Sequence, residues 1–165
     1  MYDLSRRTFL AAGAGGLAIP VAVAGCLGDN TEEWERDDPL EAASATLYQD
    51  PSCGCCEVYA DYLDDHLTTS LETVVTDDLA SVKGEYEIPN DLYSCHTIEL
   101  DGYLVEGHMP VETIATMLED EPDIRGIALP GMPQGSPGMG GDKDGTWTVY
   151  AINAAGEEPS IYAEL

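Results

Sequence analysis

Basic residues are scarce in this sequence, which has 6 Lys and Arg against 32 Asp and Glu and a formal net charge of -26. A chain with this balance cannot bind nucleic acid through a basic patch. Hydrophobic residues make up 44% of the sequence, enough to build a core. We interpret the acidic excess as a solvated shell suited to high salt, where self-repulsion is screened, and therefore as a halophilic adaptation.

The motifs of several protein classes are also missing. The sequence has no paired carboxylates and no Ser-His arrangement that would indicate a hydrolase. The glycine-rich loop from Pro130 to Gly141 lacks the Lys of a phosphate-binding loop. The apolar stretch from Ala11 to Ala24 is too short to span a bilayer comfortably, since a spanning helix needs roughly 20 residues. The 165 residues, without internal repeats, fit one compact domain and a targeting segment.

The amino terminus has the features of an export signal. Arg6 and Arg7 precede the apolar stretch, an arrangement that resembles a twin-arginine signal. The stretch ends in Val-Ala-Gly-Cys, which resembles a lipobox in which Cys26 becomes the lipidated first residue of the mature chain. A plain signal peptide, or an uncleaved anchor with a chance cysteine, is the alternative.

These features predict three regions. Residues 1–25 form the signal peptide, the acidic residues 26–44 form a disordered tether, and residues 45–165 form the domain. We expect an exported protein, held at the cell surface on the outer face of the cytoplasmic membrane.

Hydrophobic periodicity and turn signals give the order of elements in the domain. Asp101-Gly102 is a strong two-residue hairpin signal, and Pro110 can begin a helix. Thr76, Asp77 and Asp78 are capping candidates for the second helix. We predict an α/β, thioredoxin-like fold with the order β-α-β-α-β-β-α and an added carboxy-terminal β-hairpin. Its predicted strands cover 45–49, 71–75, 97–100, 103–106, 147–153 and 160–164.

Cysteines lie just before the first predicted helix. Cys53, Cys55 and Cys56 fall within four residues, where a helix amino terminus favours the thiolate form and three thiols can converge on one soft ion. A second motif, Ser-Cys-His-Thr with Cys95 and His96, opens the third strand. In a thioredoxin-like fold this segment lies against the first cysteine loop, where thioredoxins usually have a cis proline. We therefore expect the two motifs to face each other.

Further candidate ligands end the hairpin or lie in the glycine-rich loop: His108, Met109, Met132 and Met139. Thiolate, thioether and imidazole donors together select Cu(I), with zinc as the common competitor. His66 has no soft neighbour and Met117 lies beside an apolar helix face, so we assign neither to the metal. Structural disulfides are the alternative for the cysteines, although a vicinal bridge between Cys55 and Cys56 is strained.

Four segments, DPSCGCC, IPNDLYSCHT, DGYLVEGHMP and IRGIALPGMPQGSPGM, resemble those of the CopG-like metal-binding family, long catalogued as a domain of unknown function. The resemblance runs from about Leu47 to Tyr150. It implies a thioredoxin-like fold, a link to copper resistance in the cell envelope, and copper ligands at Cys53, Cys55, Cys56, Cys95 and His96. It leaves open whether the protein sequesters, transfers or converts copper.

We therefore expect an extracytoplasmic protein that binds Cu(I) in copper resistance or trafficking. Its expected partners are copper ions, the membrane through the lipid anchor, and other copper-handling envelope proteins. A thiol-disulfide oxidoreductase using Cys53 and Cys56 is one alternative, although Cys55 would interrupt its dithiol cycle. A copper oxidoreductase is another, so the sequence leaves enzymatic activity open.

The lipobox predicts that Cys26→Ser releases the domain from the membrane fraction, because the lipid then has no attachment point. Membrane and soluble fractions of cells producing the variant are compared by immunoblot. The matched control is Cys55→Ser, which removes a thiol of the domain and leaves the lipobox intact. A Cys26→Ser protein that stays in the membrane fraction would identify the apolar stretch as an uncleaved anchor.

Overall fold

The computed structural model describes residues 31–165. Arg6, Arg7, Cys26 and the predicted signal peptide lie outside this range. In the part that is described, no helix is long and apolar enough to cross a membrane. The elements are, in chain order, β1 (Ala45–Gln49), α1 (Gly54–Asp65), β2 (Glu72–Val75), α2 (Leu79–Glu85), β3 (His96–Leu100), β4 (Tyr103–Glu106), α3 (Val111–Asp120), β5 (Gly126–Ala128), β6 (Thr148–Ile152) and β7 (Ser160–Glu164).

The strands form one seven-stranded sheet in the order β2-β1-β3-β4-β5-β6-β7. The pairs β1–β2 and β4–β5 are parallel and the other neighbours are antiparallel. The mixed α/β class is confirmed, and the predicted helices and strands are present in the predicted order with one strand added, whereas the specific likeness to thioredoxins stays a prediction. β5 was not predicted, because its three residues are too few to show alternation.

The predicted turn and helix starts form at the residues that indicated them in the sequence. Asp101 and Gly102 both have positive φ, 49° and 87°, as a two-residue hairpin turn with a strand-compatible twist requires. The Asp78 side chain accepts a hydrogen bond from the Ser81 backbone N–H and caps α2. Pro110 precedes α3 directly.

Alternation along the strands divides the interior between the two faces of the sheet. Val105 and Ile127 point into the main core with α1 and α3, whereas Leu104 and Ala128 point into a smaller core with Ile88 and Leu92, which lie between α2 and β3. Successive side chains of a strand point to opposite faces of the sheet. Because successive residues of β4 and β5 are buried, both faces of the sheet are covered at these two strands.

The pairing of β1 with β3 determines where the two cysteine motifs meet. Gln49, the last residue of β1, pairs with His96, the first residue of β3. The chain leaves β1 and enters α1 through Cys53, while Cys95 immediately precedes β3. Both motifs therefore lie at the same end of the sheet.

The segment before β1 packs against the domain, in contrast to the disordered tether predicted for it. Leu40 is 2% exposed and its backbone bonds to His66 and Thr68, while the Trp34 indole N–H donates to the Gly135 carbonyl at 2.7 Å. The Trp34 and Trp147 rings lie 5.5 Å apart.

We call residues 31–44 the amino-terminal strap. The predicted disordered tether is wrong for this strap, because its few apolar side chains bury against the domain despite the surrounding acids. Residues 26–30 of that prediction lie outside the described range.

Burial of the strap predicts that Leu40→Ala lowers the free energy of unfolding by about 2–5 kcal/mol, since it removes buried methyl groups and leaves a cavity. Denaturant titration of the purified protein measures the change. Glu41→Ala, at an exposed neighbouring position, should change stability by no more than about 0.5 kcal/mol. Equal effects of the two variants would contradict a packed strap.

Candidate metal centre

Three cysteines surround the amino terminus of α1. Cys53 immediately precedes the helix, Cys55 and Cys56 lie in its first turn, and Cys56 is fully buried. A disulfide joins Cys53 to Cys56, with the Cα atoms 5.4 Å apart, and Cys55 remains a free thiol whose Sγ lies 3.5 Å from that of Cys53. Three thiolates can therefore converge on an ion only after this bond is reduced.

Cys95 extends the group across the sheet end. Its Sγ lies 3.0 Å from that of Cys56, and the sulfurs of Cys53, Cys55, Cys56 and Cys95 all lie within 4.8 Å of one another. The structure thus brings the two cysteine motifs together as the topology predicted. Metal binding by these residues stays a prediction.

Two buried histidines approach the same sulfur. The Cys95 Sγ lies 3.6 Å from His96 Nδ1 and 3.7 Å from His108 Nε2. The other nitrogen of each ring faces a backbone carbonyl, that of Gly107 at 3.1 Å and that of Pro137 at 2.6 Å. A carbonyl only accepts, so those nitrogens carry the protons and the lone pairs point towards Cys95.

Burial favours the neutral form of the two histidines and of the Cys95 thiol. Burial lowers the pKa of His108. Burial also places the pKa of His96 well below its usual value, and repulsion from His108 and Lys83 adds to this effect. Both rings are therefore neutral near pH 7, the form that binds metals. Burial, with the nearby Cys55, raises the pKa of Cys95 to about 12, so this thiol keeps its proton without a metal.

The methionines separate into different environments. Met132 Sδ lies 3.0 Å from Cys95 Sγ, which places this thioether at the cluster. Met109 is fully buried in the main core, as is Met117, which confirms the core assignment of Met117. Met139 is half-buried and its backbone bonds to Ser136. Ligand roles for Met109 and Met139 stay predictions.

The glycine-rich loop (residues 130–141) forms one wall of this site. Gly138 has φ 75°, and a Cβ there would lie 3.2 Å from the Tyr59 nitrogen and 3.3 Å from His108 Nδ1. The Tyr59 ring lies under both histidines, with ring centroids 4.9 Å from each. This buried aromatic floor limits access of water to the donor atoms.

An ion pair lies behind the ligand-bearing strand. Lys83 and Glu106 are 2% and 0% exposed and contact each other directly. Burial lowers the pKa of Lys83, and the Glu106 carboxylate opposes that change. This pair was not predicted, although the sequence contains two signals for it, a Lys on the apolar side of a short helix and a Glu at the end of an apolar strand.

The third histidine has a structural role, as its sequence context indicated. His66 is 5% exposed, its Nδ1 donates to the Tyr62 carbonyl at 2.7 Å, and its Nε2 accepts from the Arg36 backbone at 3.3 Å. The first bond fixes the ring against α1, and the second attaches the strap to the end of that helix.

Comparison with solved structures decides the family. A structure titled "Copper resistance protein copG- Form 2" is 35% identical, with a TM-score of 0.66, and the match covers 78% of this chain and 99% of that chain. The chain belongs to the CopG family. The Form 1 structure of CopG is 34% identical, with a TM-score of 0.65, and the match covers 78% of this chain and 98% of that chain.

A family model described as "Protein of unknown function, DUF411" matches residues 92–139 of this CopG-like chain. No curated protein matches the sequence. The resemblance stated from the sequence is therefore confirmed at the level of the CopG family. The segment matched by the family model contains Cys95, His96, His108 and Met132, whereas the cysteines of α1 precede it.

The raised pKa predicts slow alkylation of Cys95 in the folded, metal-free protein. Iodoacetamide reacts with the thiolate, so at pH 8 the folded protein should react at Cys95 at least roughly tenfold more slowly than the same chain in denaturant. The folded rate should keep rising towards pH 12, while the denatured rate levels off above its ordinary pKa near 9. Peptide mass spectrometry resolves Cys95 from Cys55. Equal rates in the two states would contradict a buried, protonated thiol.

Proposed function

We propose that this protein binds copper in the cell envelope and holds Cu(I) in a cluster of thiolates, imidazoles and thioether. The observation that carries the proposal is the convergence of four cysteine sulfurs within 4.8 Å, next to two histidines whose lone pairs point at Cys95. Soft donors of this kind favour Cu(I), with zinc as the competing ion. The two CopG structures, 35% and 34% identical and named for copper resistance, support the choice of copper.

The cluster becomes available to Cu(I) when the Cys53–Cys56 disulfide takes up two electrons and two protons from a thiol reductant. Bound Cu(I) then replaces the thiol protons, which enter solution. Removing the charged sulfurs from water is costly, and a bound cation offsets that cost. Cys56, Cys95 and both histidines are already held in a packed environment, so little ordering accompanies binding.

The proposed location is the outer face of the cytoplasmic membrane, by export through the twin-arginine signal and lipidation of Cys26. At that position the protein sequesters copper or passes it to other copper-handling envelope proteins. The acidic surface suits a medium of high salt, in which its self-repulsion is screened.

A thiol-disulfide oxidoreductase is the second candidate, favoured by the disulfide at the amino terminus of α1. Cys53 is half-buried and within reach of a partner thiol, whereas Cys56 is covered and contacts Cys95. The high pKa of Cys95 makes it a slow attacking group, since exchange proceeds through the thiolate. This property favours a ligand role for Cys95 over that of a third redox thiol.

Single substitutions distinguish the two candidates in the reduced domain. Cys55→Ser and Cys95→Ser should each weaken Cu(I) binding by at least about tenfold or lower the copper stoichiometry, because each removes a thiolate ligand. Competition with a chromophoric Cu(I) chelator measures affinity, and metal analysis gives stoichiometry. Met117→Leu is the matched control, because it removes a sulfur that lies in the core and conserves volume.

The same variants are assayed for reduction of a peptide disulfide. Should both serine variants bind Cu(I) like the parent while Cys53→Ser abolishes disulfide reduction, the oxidoreductase is the correct function and the copper cluster is wrong.

A further inference from the structure

A groove lies between the strap and α3, remote from the candidate metal centre. The cysteines lie at the amino end of α1, whose 12 residues span about 18 Å. Leu40 of the strap lines the groove, and its N–H donates at 2.7 Å to the carbonyl of His66, just beyond the other end of α1. The cavity has a volume of about 350 Å³, within the range of ligand pockets.

The floor of the groove is apolar. Leu40 and Ala115 are 2% and 3% exposed and belong to the main core. The exposed Pro39 and the half-buried Leu118 complete the apolar lining. An apolar side chain that enters the groove therefore leaves water and contacts carbon atoms of the core, which is the favourable part of most protein association.

Carboxylates line the rim on both sides of the groove. Asp38 and Glu41 come from the strap and Glu119 from α3, and all three residues are exposed. The Arg36 guanidinium connects the two sides, since its Nη2 lies 3.1 Å from Glu119 Oε1 and its Nε donates to the Asp38 carbonyl at 2.8 Å. The rim thus already accommodates one cationic head group, and it has three carboxylates for this single cation.

The end of α3 adds to the negative charge at the groove. Glu119 and Asp120 lie in the last turn of the helix, and Glu121 follows directly as its C-cap. The carboxyl end of a helix has a partial negative charge, so acids are unfavourable there and basic side chains are favourable. The last turn of α3 contains no basic residue. A cation bound beside it would offset this unfavourable arrangement.

The described part of the chain has no further cation to place at this rim. Its basic residues are Arg36, Lys83, Arg125 and Lys143. Lys83 is buried in its ion pair, and Arg125 and Lys143 donate to backbone carbonyls away from the groove. None of these three lines the cavity. Charge complementarity therefore favours a basic molecule as the occupant.

We propose that this groove docks a basic segment of a partner protein, which places an apolar side chain on the floor and Arg or Lys side chains against the rim carboxylates. Long basic side chains suit such a site, because their aliphatic stems cover apolar surface while the charged ends reach the acids. In strong salt, the medium expected from the composition, the ion pairs are screened and the floor retains its attraction. The inference is independent of the proposed function, since no candidate copper ligand lines the groove.

The test titrates the purified, isotope-labelled protein with an acetylated and amidated probe peptide, Gly-Arg-Leu-Arg-Gly. The control peptide, Gly-Arg-Gly-Arg-Gly, has the same charge and lacks the apolar side chain. Amide chemical shifts give both the affinity and the location of binding. We expect the leucine peptide to shift amides of the strap and α3 and to bind at least about tenfold more tightly than the control, because it buries a Leu. This ratio should persist from about 0.15 M to about 1 M salt, while both affinities fall.

Matched pairs of substitutions test the rim. Asp38→Asn with Glu41→Gln neutralises two rim carboxylates and keeps the internal ion pair across the groove, so it should weaken the leucine peptide by at least about threefold at the lower salt. Asp77→Asn with Glu85→Gln makes the same change of charge at exposed positions beside α2, on the other face of the sheet, and should leave the affinity unchanged. Circular dichroism verifies that each variant is folded.

A third variant tests the floor. Leu118→Ala removes apolar contacts and no charge, so it should reduce the advantage of the leucine peptide over its control by at least about threefold. The affinity of the control peptide should stay the same.

Equal binding of the two peptides, or equal losses in the rim variant and its charge-matched control, would show general attraction to an acidic surface and overturn the proposal. Shifts confined to segments other than the strap and α3 would overturn it as well. Spermidine, titrated in parallel, represents a free polyamine. If it shifts the same amides with the affinity of the leucine peptide, the groove takes a small cation and the protein partner is wrong.

Discussion

Lys83 and Glu106 form an ion pair beneath β3, and both side chains are almost completely buried. The ammonium group also donates to the His96 carbonyl at 3.1 Å and to Thr97 Oγ1 at 2.7 Å, while the carboxylate accepts from the Ser94 hydroxyl at 2.9 Å. A buried pair of this kind adds little net stability, because desolvation offsets the attraction. Its effect is positional: it binds the backbone at the entry to β3 in one register, from which the cysteine and histidine side chains reach the cluster.

The sequence was sufficient where local chemistry decides structure. Asp101-Gly102 forms its turn because both positions tolerate positive φ, and Asp78 caps α2 through its own side chain. The meeting of the two cysteine motifs was also predictable, since it follows from strand order. Contacts between distant segments were not. Leu40 and Trp34 lie among acids, and only their partners in the folded chain show that Leu40 is buried and Trp34 partly buried.

Within the candidate site, residue type was predictable and chemical state was not. The sequence placed three thiols in one loop, yet a disulfide joins Cys53 to Cys56 and leaves the middle thiol free. The usable nitrogen of His108 depends on the Pro137 carbonyl, which belongs to a loop 29 residues further along the chain. Met132 and Met139 are equivalent in the sequence, whereas the fold brings the sulfur of Met132 to Cys95. The types of candidate ligand can thus be predicted from short sequence motifs, whereas the orientation of their donor atoms depends on tertiary contacts.

The contact between the strap and the glycine-rich loop also gives the protein an intrinsic optical reporter. Its two tryptophans, Trp34 and Trp147, have ring centroids 5.5 Å apart with the rings tilted by 38°, and the Trp34 indole N–H donates to the carbonyl of Gly135 in the loop that carries Met132. Indole emission from this chain therefore originates at one junction, close to the wall of the cluster. Fluorescence intensity and wavelength will follow detachment of the strap and rearrangement of the loop, so metal loading can be followed without an attached dye.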